Sequence, residues 1–519
     1  MTDKSVNSSQ QSEDRFQTLL NNANAARVIS QAIEGTIGPR GLDVMMVDRF
    51  GDVVITNDGV TILNLMEVSH PAAQMIINSA RSQQKEVGDG TTTTTILAGA
   101  MIAEGAAQVL KGVPVIRIVE GIRRGVAACY QWIEEIARPI NRIDDPELAS
   151  IARIAGRGES ELALQVIEAA KILGQERLLD PDYCFADTIL SREAVNNQVF
   201  KGVVINKHPI NREMPRQLQD VGILVVDDAL APEEVNMEAL KTEAGFQYYR
   251  KTREAYHHNL ARLSQMGVNL IIVDRSVDDT AEEILTDANI TVLQRVSSRE
   301  IERLCRHTGA RKIKRSALNR DPDHLKAYLG WAERVVVDDK MECTMVFNGE
   351  GESQVTVLVG AATTEVVDER ERMARDAAAA VQAALKAGIV PGGGAVEIWL
   401  ASRLEDLARQ QEGMISYGIM CVKEALIKTF LCMASNAGFN PLEKLGDVTT
   451  GQRRQQSHSI SFDVDSGQLV DMLESGIVDP AQVKQHAIQA AGEVAAAILR
   501  IETVIKMRSE STDHRQMVE

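Results

Sequence analysis

The stretch Gly88-Asp89-Gly90-Thr91-Thr92-Thr93-Thr94-Thr95 puts a tight turn, a carboxylate and a row of hydroxyls side by side. Gly88 and Gly90 let the backbone come close to a ligand. The threonines run into an apolar, helix-like segment, Ile96 to Leu110, so their hydroxyls and N–H groups collect at a helix N-terminus, where the dipole favours anions. Asp89 is a hard oxygen ligand beside that anion position, of the kind Mg²⁺ takes. One reading is a phosphate cradle with its metal ligand. The other is an ordinary capped helix start, since Asp, Gly and Thr are common there. Three further segments bear on the choice. Asn57-Asp58-Gly59 offers an acid in a turn, or only the turn. Asp376 stands before four alanines, Ala377–Ala380, an exposed position for an acid with a purely structural role. Gly392-Gly393-Gly394 again permits close backbone approach.

The elements that would position these residues follow from apolar spacing. Phe16, Leu19, Leu20, Ala23, Ala26 and Ile33 predict a helix over 14–34, ended by the turn Gly35–Gly41. Residues 1–13 are polar and read as disordered, as does the tail from Arg508. Strands are expected at Val44–Val47 and Val53–Thr56, and a helix from Pro71, a favoured first helical position, to Glu86. Further helices are expected over Val115–Ala137, Glu147–Ile154, Glu159–Leu173, Glu369–Ala387, Ala395–Arg409, Tyr417–Ala437 and Pro480–Lys506. Thr449–Gly467 is polar, with one strand at Ile460–Val464.

From Phe200 to Gly349 the pattern changes to short strands alternating with helices, an α/β unit without a dinucleotide glycine fingerprint. Within it, Ala231–Asn236 links to a charged helix over Met237–Met266, with Phe246, Tyr249, Arg253, Tyr256 and Leu260 along one face. It is either an amphipathic helix packed on its own domain or, at its first turns, an interaction tip. His257 and His258 are adjacent and do not share a helix face, which argues against a metal there. The helical character of both chain ends predicts one discontinuous domain with another inserted in it.

At 519 residues the prior is about three domains. The 44% hydrophobic and 25% charged residues are those of a globular chain with a substantial core. A net charge of −17 and only 4% aromatics argue against nucleic acid and anionic membrane as partners. Six cysteines without CxxC spacing fit neither zinc nor a disulfide framework, and point to the cytoplasm. No signal peptide or membrane-spanning helix is read from the chain. No Gly-x-x-x-x-Gly-Lys-Ser/Thr motif supports a metabolic phosphotransferase.

Taken in order, Gly38-Pro39-Arg40-Gly41, Asn57-Asp58-Gly59, His70-Pro71-Ala72-Ala73, Gly88-Asp89-Gly90-Thr91-Thr92-Thr93, Arg375-Asp376-Ala377 and Val390-Pro391-Gly392-Gly393-Gly394 resemble a group II-type chaperonin subunit of the thermosome kind. The resemblance runs from about residue 14 to 506. It implies a multidomain, α-rich α+β chaperonin fold. A helical, discontinuous equatorial domain would take 1–137 and 388–519, and a small intermediate hinge domain 138–200 and 351–387. An inserted α/β apical domain would fill 201–350, with a helical protrusion at 231–266 serving as a built-in lid. The resemblance also implies ATP and Mg²⁺ as cofactors, non-native polypeptides as clients, and two stacked rings of eight or nine subunits without a separate co-chaperonin.

Carried over by motif, Asp89 resembles the Mg²⁺ ligand. Gly38, Pro39, Asn57, Gly59, Gly90, Thr91, Thr92, Thr93, Gly392, Gly393 and Asp479 resemble nucleotide contacts. Asp58 and Asp376 resemble the acids that orient and activate water, Asp376 arriving on the hinge domain. An ATP-driven folding chamber is therefore expected, with a nucleotide-binding holding scaffold as the alternative; the paired Asp58 and Asp376 argue against the latter. Some features depart from group II. Asp479 replaces the usual Glu. Arg157, in Ile154-Ala155-Gly156-Arg157-Gly158, stands where a lysine is usual. The tail Arg508–Glu519 is not rich in Gly and Met. This mixture points towards the bacterial group III branch.

Overall fold

Helical spacing at both ends and alternation in the middle give the chain two compact units, Met1–Gly158 with Ala379–Glu519, and Glu159–Ala378. The fold is that of a computed structural model, which describes residues 3–233 and 241–505.

Unit 1 opens with α1 (Asp3–Glu34), the hairpin β1 (Val44–Val47) and β2 (Val53–Thr56), then α2 (Gly59–Leu65), α3 (Pro71–Glu86), α4 (Thr91–Leu110), α5 (Val115–Ile136) and α6 (Pro146–Ala155). Residues 3–13, expected to be disordered, belong to α1. They lack apolar periodicity, but a helix nucleated further on extends through polar residues at little cost. Asn57-Asp58-Gly59 does more than turn. Asp58 caps α2, its Oδ2 accepting from Thr61 N at 3.0 Å and Thr61 Oγ1 at 2.5 Å. Such a cap is worth about 1 kcal/mol.

Helix α4 is the centre of unit 1. Ile96, Leu97, Met101 and Ile102 are buried, each contributing roughly 1.5–3 kcal/mol. Added side chains at Gly99 and Gly105 would meet Ser30 and Leu499, so the neighbouring helices approach the α4 backbone closely. Length and composition alone would let α4 cross a membrane, but it is a core helix here.

Unit 2 begins with α7 (Ser160–Leu173), α8 (Gln175–Leu179), β3 (Ile189–Glu193), β4 (Gln198–Ile205) and β5 (Gln217–Val226). It continues through α9 (Glu243–Gln265), β6 (Val268–Val273), α10 (Asp279–Asp287), β7 (Thr291–Leu293), α11 (Ser298–Thr308), β8 (Lys312–Ile313), α12 (Pro322–Lys326), β9 (Gly330–Asp338), β10 (Cys343–Gly349) and β11 (Val355–Ala361). The strands form one mixed sheet, ordered β3-β11-β4-β10-β9-β5-β6-β7, with β8 beside β5. Of the insert helix, the described part starts at Glu243, behind a Thr242 cap; the start expected at Met237 lies outside the described residues. The packed-helix reading holds for the body of this helix. Tyr256, Leu260 and Leu263 are buried in the core of unit 2, whereas Phe246 and Tyr248 on the first turns are exposed.

The long helix α13 (Thr364–Ala387) passes from unit 2 into unit 1. There the chain adds β12 (Ile389–Pro391), α14 (Ala395–Gln410), α15 (Ile415–Asn436), α16 (Pro441–Gln455), β13 (Ile460–Phe462), β14 (Leu469–Asp471), β15 (Val478–Pro480) and α17 (Ala481–Leu499). The polar region from Thr449 thus starts inside a helix. Asn440 caps α16 and Pro441 takes its first position, a start signal placed ahead of the polar run. Helix α17 stops at Leu499, short of the expected Lys506, which lies outside the described residues. The β-branched Ile501, Thr503, Val504 and Ile505 do not extend it.

Candidate nucleotide site

The α4 N-terminus is built by a turn that only glycines fit. Gly88 and Gly90 have φ of 79° and 82°, in the left-handed region. Gly90 is the N-cap and offers no side chain, so the first N–H groups of α4 have no cap of their own. The five threonines then divide. Thr94 and Thr95 turn their hydroxyls back onto the carbonyls of Gly90 and Thr91, each at 3.0 Å. Among the described residues no hydrogen bond engages the hydroxyls of Thr91, Thr92 or Thr93. Donors at the helix start and three uncommitted hydroxyls suit a phosphate chain.

The α2 N-terminus is pressed onto that turn. A Cβ at Gly59 would overlap Thr92 Oγ1 and lie 3.3 Å from Thr91 Oγ1 and Thr92 N. Asn57 beside it keeps Oδ1 buried without a hydrogen-bond partner, an acceptor awaiting a donor. The capping bonds of Asp58 both use Oδ2, which fixes the carboxylate plane.

The other end of the chain brings Gly392 and Asp479 together. β12 pairs with β15, Val390 facing Asp479. A Cβ at Gly392 would stand 3.3 Å from Asp479 Oδ1, so a side chain there would crowd the carboxylate by a few tenths of an ångström. Ser461 Oγ donates to the Gly393 carbonyl at 2.7 Å. Gly38 and Gly394 are both packed against Met433, and Asn436 Nδ2 donates to the carbonyls of Glu34 and Ile37 at 2.8 and 3.0 Å, which ties the exposed Gly38-Pro39 loop to α15.

Charge accumulates at Asp89. Its Oδ1 accepts from Gly90 N at 2.6 Å. Burial nevertheless pushes its pKa above the usual carboxylate range; the Gly90 hydrogen bond opposes this, Asp479 adds to it, and Lys484 and Arg157 oppose it. Lys484 sits between Glu397 Oε1 at 2.6 Å and Asp479 Oδ2 at 2.8 Å, and these partners hold its pKa above the ordinary lysine value in spite of burial. Three carboxylates thus face two cations, and the residual negative charge suits a metal cation. Lys484 and Glu397 escape a reading of the sequence. Each looks like one polar residue in an amphipathic helix, and they stand 87 positions apart. Arg157 does enter the electrostatic surroundings of Asp89, held at φ 54° in the loop after α6. Asp376 is the one anticipated site residue that belongs to unit 2, on α13.

The sequence profile of the TCP-1/cpn60 chaperonin family matches residues 29–509. The chain belongs to that family. It is 32% identical to a thermosome subunit of Pyrococcus horikoshii over 496 residues, covering 93% of this chain and 90% of that protein. It is 33% identical over 499 residues to a thermosome subunit beta of Archaeoglobus fulgidus, covering 93% and 91%. A crystal structure of a group III chaperonin in the open state superposes with a TM-score of 0.85 at 44% identity, covering 95% of this chain and all of that one. The protein is accordingly an ATP-dependent chaperonin subunit, an ATPase that assembles into double rings and encloses non-native proteins for folding. The α-rich, multidomain chaperonin fold anticipated from the motifs is the fold observed.

Proposed function

We propose that this chaperonin holds ATP and Mg²⁺ at the N-terminus of α4 and that Asp58 and Asp376 orient and activate the attacking water. The division of the threonine run carries the reading. Thr94 and Thr95 serve the helix, while Thr91, Thr92 and Thr93 have hydroxyls to spend on phosphate oxygens. Asn57, Gly59 and Gly90 complete the cradle. Gly38, Pro39, Gly392, Gly393 and Asp479 form the nucleoside side. Asp89 is the residue to hold Mg²⁺, and Arg157 takes the place of the usual basic neighbour. Mg²⁺ held by Asp89 would supply positive charge to offset that of the phosphate oxygens. No group of three or more potential His, Cys, Asp or Glu metal ligands gathers among the described residues, and Mg²⁺ needs none when one carboxylate and the phosphates share it.

On this reading 1–137 with 388–519 is the ATPase domain, 138–200 with 351–387 the hinge, and 201–350 the client domain with its own lid at 231–266. No separate co-chaperonin is then needed. We place the chain in the group III branch, in the cytoplasm, in rings of eight or nine subunits. The 44% identity to a group III chaperonin against 32–33% to thermosome subunits, together with Asp479 in place of Glu, supports this. Asp376→Ala should bind ATP like the parent and turn it over about 10²–10⁴-fold more slowly, the range for losing a general base. Equal turnover would overturn the assignment. Negative-stain images tilted to show particle side views, with and without ATP, test ring size and lid.

A further inference from the structure

We infer that Gln83 and His486 are positioning residues for the metal-binding turn, a hydrogen-bonded clamp that fixes Asp89 from both ends of the chain. The inference rests on Asp89 being the Mg²⁺ ligand. Gln83, on α3, is fully buried. Its main-chain carbonyl accepts from Val87 N at 3.0 Å and Gly88 N at 3.3 Å. Its side-chain Nε2 donates to the Asp89 carbonyl at 2.7 Å and to the Val483 carbonyl at 3.3 Å. One residue therefore grips the turn at its start and at the metal ligand itself.

The amide has only one orientation that works. Two carbonyls on one side require Nε2 there, which leaves Oε1 facing His486 Nδ1 at 2.5 Å. Oε1 only accepts, so His486 must donate from Nδ1. His486 and Val483 both come from α17, the C-terminal end of the chain, while Asp89 comes from the N-terminal part. Gly90 makes room for this arrangement: a Cβ there would lie 3.0 Å from Gln83 Nε2 and 2.8 Å from Val483 Cγ1.

A purely structural bond would be satisfied by any closed turn. This chain instead fixes the peptide plane of the very residue whose carboxylate is to bind metal, while Gly90 N fixes the carboxylate. Mg²⁺ demands near-ideal octahedral geometry, and groups behind a ligand set its orientation. Losing the clamp should therefore weaken metal binding before it weakens nucleotide binding.

The test uses assembled full-length protein and two readouts. One is ATPase rate against Mg²⁺ at fixed ATP. The other is Mn²⁺ binding followed by electron paramagnetic resonance, with a non-hydrolysable ATP analogue present. Gln83→Leu should raise the metal concentration for half-saturation about 10–100-fold in both, as expected for losing an orienting partner. His486→Leu should shift it in the same direction. His486→Asn, whose amide can donate where Nδ1 does, should stay near the parent. If Gln83→Leu does not assemble, the half-buried His486 pair decides alone. The clamp is overturned if the Gln83 and His486 variants keep parental metal dependence while Asp89→Asn loses it, or if His486→Asn shifts as far as His486→Leu. Parental metal dependence in Asp89→Asn overturns the ligand assignment itself, and the clamp with it.

Discussion

Replacing Lys484 by methionine tests whether unit 1 is held by its buried charges or merely tolerates them. Lys484 and Glu397 keep only 12% and 7% of their side-chain surface, and Asp479 30%. With all three charges present, attraction and lost hydration nearly offset each other, as is usual for buried ion pairs. Methionine preserves the volume but removes the attraction. Glu397, whose Oε2 already lacks a hydrogen-bond partner, is then a buried carboxylate with no cation beside it. Breaking a buried pair in this way costs about 3–5 kcal/mol. That is a large part of a domain's stability and a fall of several degrees in melting temperature. The double variant Lys484→Met with Glu397→Gln removes the stranded charge and should recover most of the loss. Calorimetry of the nucleotide-free protein at several pH values between 5 and 8 measures all three. A single variant within about 1 kcal/mol of the parent throughout, or a double variant no better than the single, would refute the reasoning, since breaking such a pair should cost more.

Gly90→Ala should cost about 1–2 kcal/mol for its left-handed backbone and a further 1–3 for overlap with Val483, about the usual price of each. Gly112→Ala, with φ of 96° and open space around it, should lose only the first part; urea unfolding of both separates strain from crowding. In unit 2, burial drives His307 down to about 4, aided by Lys201 and Arg303 against a backbone hydrogen bond at Glu352. Neutral His307 accepts from Gly349 N at 3.0 Å, so acid must break that bond. Unit 2 should lose up to about 3 kcal/mol as pH falls from about 6.5 to about 4, and His307→Gln, which keeps an acceptor, should flatten that slope in an acid titration of stability. Ala379→Val should slow ATP turnover about tenfold or more with ATP affinity kept, because a Cβ at Gly88 would already overlap Ala379 and extra methyl groups there push α13 outwards. Affinity and turnover falling together in an isotherm and a single-turnover assay would refute it.

What was legible in the sequence was what local chemistry decides. β1 and β2, and the ends of α3 and α5, follow from alternation, from Pro71 and from helical spacing. The threonine turn could be recognised because its glycines and hydroxyls are contiguous. Elements that exist only through pairing could not. β12 and β15 are three-residue strands, and each exists because the other end of the chain lies beside it. Helix α16 was hidden because Thr449, Thr450 and Gly451 open a stretch that reads only as polar; Gly451 is there so that Leu469 and Ile460 can approach, a demand of packing rather than of local preference. The residues behind the site were illegible for the same reason. Gln83, Glu397, Lys484 and His486 are ordinary in their own windows and meet only when α3, α14 and α17 pack around α4.

On the proposed assignment, hydrolysis draws on a buried helix, α4, and on a long connecting one, α13. A site that must grip a multiply charged ligand and later release it needs a fixed part and a part that comes and goes. The fixed part is α4, whose N-terminus is anchored by its buried Ile96, Leu97, Met101 and Ile102. Gly59 at the head of α2 and Gln83 on α3 hold that turn from within unit 1. Helix α13 is different. It belongs to both units, and its buried residues are six alanines, Ala374, Ala377, Ala378, Ala380, Ala383 and Ala384, together with Val367, Val381, Gln382 and Leu385. Alanine keeps a helix stiff and gives it few interlocking side chains. With Asp376 in its proposed role, its place on that helix rather than on α4 would make hydrolysis depend on where α13 stands, while the phosphate binding proposed for Thr91, Thr92 and Thr93 would not.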